Sequence, residues 1–150
     1  MTRSAFVAGA AVVLAAVITG CSSLPGEIRN PPRDAVAFHE GASDPDAFKG
    51  EEVRWGGEII GVDNRDSKSW IEVLQRPLDV DGRPLDTDRT GGRFVVRVDG
   101  FLDPAVYAEG RDLTVHGTIE RGAEGAIGNQ PYLYTIIDAE TTYLWDRDGD

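Results

Sequence analysis

The chain of 150 residues has one cysteine, two histidines and one methionine. A single cysteine cannot form an internal disulfide, so oxidative cross-linking has no part in this fold. His39 and His116 are far apart, and a zinc site on either would have to rely on carboxylates, a weak case for that ion. Neither G-x-S-x-G nor H-E-x-x-H occurs. Among the many carboxylates, no pair stands out as a general acid and base. Positive charge is scarce too, with a formal net charge of −11. Such a chain repels phosphate backbones and anionic lipid surfaces alike. These absences argue against an enzyme, a metalloprotein and a nucleic-acid binder. No catalytic residue, metal ligand or cofactor is expected.

Long apolar runs are absent after Gly20, but one stands before it. Arg3 is the only charge ahead of an uncharged stretch from Ser4 to Gly20, rich in Ala and Val. That run falls short of the roughly 20 apolar residues a spanning helix needs. A basic start, a short apolar middle and small residues at its end describe a secretory leader. The end is specific: Ile18-Thr19-Gly20-Cys21 has the pattern of a lipobox, an aliphatic residue and two small ones before Cys. Sequences of this kind are cut before the Cys, whose sulfur takes diacylglycerol and whose new amine is acylated. Cys21 is therefore the expected lipidation site, and membrane lipid the expected partner. One acyl chain holds only weakly, whereas the three implied here anchor stably. Ser22 follows, where Asp would favour inner-membrane retention, so the expected address is the outer membrane; its periplasmic face is expected rather than the cell surface. Removal of residues 1–20 would leave the chain one unit more acidic, since Arg3 is the only charge among them.

Residues 21–42 read as a lipidated tether, interrupted by Pro25, Gly26, Pro31 and Pro32. Its one apolar patch, Ala35-Val36-Ala37-Phe38, is placed as a short strand or as a lid on the domain. His39 reads as a solvated loop residue. Residues 43–145 read as one domain, and 146–150 as an acidic tail.

Strand signals run through that domain. Val53, Trp55, Gly57 and Ile59 share one face of the first strand, and Ser69 to Leu74 form the second. Phe94, Val96 and Val98 alternate with Arg93, Val95 and Arg97 in the third. Leu113, Val115, Gly117 and Ile119 alternate with Thr114, His116 and Thr118 in the fourth, which leaves His116 on the polar face. Residues 132–137 form the fifth, running on toward Trp145. Asp44-Pro45 and Asp103-Pro104 each signal a short capped helical turn. Beyond that the two stretches match: Phe48 with Tyr107, Gly50 with Gly110, Trp55 with Val115, Gly57 with Gly117 and Ile59 with Ile119. Glycine inside a strand marks a bend or bulge, as a closed barrel needs.

The expected fold is all-β: a small antiparallel five-stranded OB-like barrel with two short capped helical turns. An open β-sandwich is the alternative. Residues 75–91 and 121–131 read as loops, the first long enough to be functional or mobile. Asp79-Val80-Asp81-Gly82 and Asp146-Arg147-Asp148-Gly149-Asp150 lack the spacing and closing Glu of a calcium loop, and read as a turn and a tail. Trp55 and Trp70 could stack bases in an OB barrel, but neighbouring acids such as Glu52, Glu58 and Asp99 argue against nucleic acid.

The central stretch also resembles a known family. Gly92-Arg93-Phe94, Gly100-Phe101-Leu102-Asp103-Pro104, Tyr107, Gly110 and Thr114-Val115-x-Gly117 resemble the signature of the Slp outer-membrane lipoproteins, of starvation-inducible type. Trp55-Gly56-Gly57-x-Ile59, Glu72-Val73-Leu74, Pro77-Leu78-Asp79, Arg83-Pro84, Gly125-x-Ile127-Gly128, Tyr132-x-Tyr134 and Leu144-Trp145 extend the likeness over nearly all the chain beyond Cys21. Thr135 departs from it, many members having Pro there. The resemblance implies an envelope lipoprotein linked to starvation or stationary phase, meeting other envelope proteins. It carries over no catalytic residues. The alternative is a lipid-anchored module for a small ligand or glycan, with aromatic rings as its platform. Trp55, Trp70, Tyr134 and Trp145 decide between them: exposed rings on one concave face would favour a ligand. Mostly buried rings are expected.

Overall fold

A computed structural model describes residues 23–147, together with Gly9. The expected leader, Cys21 and the last residues of the acidic tail lie outside the described residues. Five strands form a closed barrel: β1 (Glu52–Arg65), β2 (Lys68–Gln75), β3 (Arg93–Asp99), β4 (Asp112–Ile127) and β5 (Gln130–Leu144). They follow one another around the wall in the order β1-β2-β3-β5-β4. The barrel is OB-like and all-β, as the alternation implied. One detail differs from the expected antiparallel arrangement: β3 and β5 run parallel. An odd number of strands cannot alternate direction around a closed ring, so one parallel pair is forced by parity.

The inward faces supply the core. Val53, Trp55, Ile59, Ile71, Val73, Phe94, Val96, Leu113, Val115, Ile119 and Ile137 are all buried. Each such side chain contributes about 1.5–3 kcal/mol through removal from water. Phe38, Trp55 and Phe94 form an aromatic triad, with centroids 4.9, 5.5 and 5.8 Å apart. Two of its contacts are edge-to-face, the arrangement that ring quadrupoles favour.

Both ends of the barrel are plugged. The turn Pro45–Phe48, a 3-10 helix, sets Phe48 against the core where β1 begins. The segment after β3 sets Leu102 and Tyr107 against it near the β1–β2 hairpin. The two capped turns were expected, but only one has its side-chain cap. Asp103 Oδ1 accepts from the Ala105 N–H at 2.8 Å, whereas Asp44 makes no such bond.

Two further expectations need correction. Residues 121–131 are not a loop: β4 and β5 continue as one hairpin to the pair Ile127 and Gln130. The glycines that suggested a loop make room for facing side chains. A Cβ on Gly125 would come within 2.9 Å of the Tyr134 ring, and one on Gly122 within 3.2 Å of Leu133. Second, residues 26–42 are no free tether. They form α1 (Gly26–Arg29), with Ile28 buried, and α2 (Phe38–Ser43); the patch Ala35–Phe38 lies on the domain, one of its two expected placements, with Val36 and Phe38 buried. The segment between β2 and β3 is a loop, as expected, and it is packed down. Leu78 bridges Pro84, the Leu85 N–H donates to the Pro77 carbonyl, and Arg76 binds Glu58 and the Thr87 carbonyl.

Thr135 does not disturb β5: it pairs with Gly122, and its hydroxyl is buried without a partner.

Candidate functional site

Cys21 lies outside the described residues, and the chain enters the structure two residues later, at Ser23. Within a few residues it is fixed to the barrel wall. The Pro25 carbonyl accepts from the N–H groups of Ile28 and Arg29, both at 3.0 Å, closing the single turn of α1. Ile28 is wholly buried. It sits on the outside of the barrel, apart from the main core. Arg54 of β1 donates to the carbonyl oxygens of Ile28 and Arg29 at 2.8 and 3.0 Å. Burial lowers the Arg54 pKa, opposed by the nearby Asp79 carboxylate. A guanidinium stays charged throughout any ordinary range, so this contact is a charge-assisted clamp on two carbonyls that α1 leaves open.

Neighbouring bonds extend the clamp. Thr114 of β4 donates to the Gly82 carbonyl at 2.6 Å and accepts from the Trp145 indole at 2.9 Å. A Cβ on Gly82 would overlap the Ile28 carbonyl oxygen. Farther along, the Trp55 indole donates to the Val36 carbonyl at 2.9 Å, which holds the segment leading into α2. Residues 26–38 are thereby fixed to β1, β4 and the 75–91 segment. Sequence reasoning missed this clamp. The available signals were Arg54, a cation set between Val53 and Trp55, and Ile28, a lone aliphatic residue between Pro25 and Pro31.

His116 sits opposite Arg54 on the neighbouring strand. It does lie on the face away from the core, as expected, but that face is covered here and His116 is buried. Its Nδ1 stands 3.4 Å from a Glu140 carboxylate oxygen. Gly26, Glu27, Asn30, Pro32, Glu52 and His116 line an open recess of about 400 Å³ beside α1. Among the described residues, no group of three or more His, Cys, Asp or Glu is placed to hold a metal ion. His39 is exposed on α2. Asp79 forms a turn: its Oδ1 accepts from the N–H groups of Asp81 and Arg83 at 2.8 and 3.0 Å.

The rings do not converge. Trp55 is buried in the core, while Trp70, Tyr134 and Trp145 are half-buried, so the expectation of mostly buried rings holds fully for one of the four. Each half-buried ring is engaged locally. Arg65 lies over Trp70, 4.7 Å from its centroid, and Arg83 over Trp145 at 5.7 Å. Tyr134 donates to Glu72 at 2.8 Å and packs edge-on against Tyr132. Burial, reinforced by that bond to Glu72, raises the Tyr134 pKa. Glu72 also holds Arg93 at 2.9 Å and raises its pKa in turn. Trp145 lines a recess of about 290 Å³ with Arg83, Arg111 and Arg147 and the acids Glu109, Asp112 and Asp146. No helix among the described residues is long and apolar enough to cross a membrane.

Comparison with known proteins agrees with the sequence motifs. The model of the "Outer membrane lipoprotein Slp family" matches residues 18–150, beginning at the first residue of the lipobox pattern. "Outer membrane protein Slp" of Escherichia coli K12 is 31% identical over 147 residues, covering 97% of this chain and 76% of the relative. "Uncharacterized lipoprotein YeaY" of the same organism is 33% identical over 135 residues, covering 87% of this chain and 68% of the relative. An uncharacterized protein of Haemophilus influenzae is 26% identical over 129 residues, covering 85% of this chain and 70% of its own. No solved structure matches. By the extent of these matches, the chain belongs to the outer membrane lipoprotein Slp family.

Proposed function

We propose that this protein is an envelope lipoprotein acylated on Cys21, whose barrel works by contact with other envelope proteins rather than by catalysis. The observation that carries this reading is the lipobox Ile18-Thr19-Gly20-Cys21 at the head of the family match. The barrel stands on the periplasmic face of the outer membrane, and its demand rises in starvation or stationary phase. Supporting the contact role, the described chain spends its half-buried rings on local partners, Arg65, Arg83 and Glu72, rather than on one concave platform. Membrane fractionation of wild type and Cys21→Ser tests the anchor. The wild type should float with membranes and the variant should be released. A variant that floats equally well would overturn the reading.

A second reading, a module for a small ligand or glycan, draws on one feature. The Trp145 recess brings three arginines and three acids, Glu109, Asp112 and Asp146, beside an indole. Calorimetric titration with oligosaccharides, comparing wild type with Trp145→Ala, would detect it. Heat lost in the variant would favour this reading over the first.

A further inference from the structure

We propose that the barrel presents one fixed side to the lipid surface: the side centred on β4 that carries α1, with β3 turned away. This inference rests on the acylation of Cys21 proposed above. It follows from the length of chain left between the anchor and the first clamped residue.

Only five Cα steps separate Cys21 from Gly26, the first residue of α1. Fully extended, they reach about 18 Å, at about 3.6 Å per step. A folded body of this size has a radius of gyration of about 14 Å, so it is about 35 Å across. The spacer is therefore shorter than the barrel is wide. If β3 faced the lipid, the chain would have to run around the whole body to reach α1, and it is too short. Full extension would also cost the spacer residues conformational entropy. The lowest-cost placement brings α1 down toward the interface.

The clamp makes this argument binding. A loosely attached α1 could peel away and lend its own residues to the spacer. Ile28 is wholly buried, Arg54 bonds two carbonyls of the turn, and the Trp55 indole holds Val36 farther along. Releasing α1 would expose Ile28 and strand the half-buried Arg54 charge. In the ring order β1-β2-β3-β5-β4, β4 adjoins β1 and β5, which leaves β2 and β3 on the far side. The outward β3 residues Arg93, Val95 and Arg97 then look into the aqueous space, as does Glu72 of β2. Asn30, Glu27 and Glu52 lie on the lipid side, beside the recess at α1. Two of these three are acids, which anionic lipid would repel, so the spacer length and not surface attraction sets the orientation.

Cys21 is the only cysteine, so once it is acylated an introduced thiol is unique. We would express the full chain with its leader, carrying Asn30→Cys or Val95→Cys, label the thiol with a fluorophore, and reconstitute the acylated protein. Vesicles of phosphatidylethanolamine and phosphatidylglycerol would carry headgroup spin-labelled lipid as quencher. Quenching is expected to be several-fold stronger at Asn30→Cys than at Val95→Cys. Equal quenching at the two sites would overturn the proposal. A Gly/Ser insert of about fifteen residues after Ser23, with an r.m.s. reach of about 20 Å, should largely abolish the difference. A difference that survived the insert would also overturn it, since surface attraction would then set the orientation. Failure of the protein to float with vesicles at all would be a separate result, against acylation itself.

Discussion

The two turn-and-strand units, one entering β1 and one entering β4, are built alike and paired with each other. Trp55 and Val115 occupy matching positions and stand directly opposite one another. The Gly50 N–H donates to the Ile119 carbonyl at 2.8 Å, and the Gly110 N–H to the Ile59 carbonyl at 2.9 Å. The bonds are reciprocal again at Ile119 N–H to Glu51 and Ile59 N–H to Arg111, at 3.0 and 2.8 Å. Each strand slips register just after these residues, at Ile60 in β1 and Glu120 in β4. A local two-fold axis thus passes between Trp55 and Val115, and each unit plugs the end of the barrel that its partner leaves open.

The differences show what has been added to that frame. In the second unit Asp103 caps its own turn, and in the first the acid reaches across instead. Asp46 Oδ1 accepts from the Gly122 N–H of β4 at 3.0 Å, a bond that lowers the Asp46 pKa, with Lys49 adding to the effect. The first unit also has Phe38 of α2 packed edge-on against Trp55. The side of the molecule nearest the expected anchor is therefore the more heavily bolted of the two.

That asymmetry is open to breaking. Trp55→Ala removes the centre of the aromatic triad and the indole bond to Val36. It should cost about 3–5 kcal/mol by urea denaturation, whereas Val115→Ala at the matching position should cost less. Gly57→Ala and Gly117→Ala test the symmetry itself. A Cβ at the first would overlap the Leu74 carbonyl oxygen, and at the second the Asp138 carbonyl oxygen. Each should lower stability by about 1–3 kcal/mol, and by similar amounts, in thermal unfolding. A tolerated change at one site only would show that the two strands are not equivalent.

Capping separates the units again. Asp103→Ala should cost about 1 kcal/mol, the usual value of a lost cap, and Asp44→Ala close to nothing. The smallest expected effect concerns the outer wall. Because the Tyr134 pKa is raised in the fold, the stability tied to its phenol is complete below about pH 10 and is lost as pH rises through the raised value. Unfolding free energies measured from neutral to strongly alkaline pH should therefore fall more steeply in wild type than in Tyr134→Phe.

Much of this was legible in the sequence because it depends on period and spacing. Alternation at Phe94, Val96, Leu113 and Val115 marked the walls, and the offset between Asp44-Pro45 and Asp103-Pro104 marked the paired plugs. What failed was composition taken as a guide. Prolines around Ile28 suggested a free tether, although a single turn needs few hydrogen bonds once Arg54 supplies the missing donors. Glycines at 122 and 125 suggested a loop, although they serve to seat Leu133 and Tyr134. His116 was correctly placed on the face away from the core, but nothing in β4 announces that α1 covers that face. The lipobox is a contiguous motif, so it was legible without any fold, and it lies outside the described residues.

The whole account hangs on the state of the chain's first residue after processing. Intact-mass and peptide mass spectrometry of protein extracted from membranes reads that state directly. The expected result is a chain that begins at Cys21, lacks residues 1–20 and carries a diacylglycerol on sulfur with a third acyl chain on its amine. A chain that retains Met1, or a Cys21 found as an unmodified thiol, would contradict it.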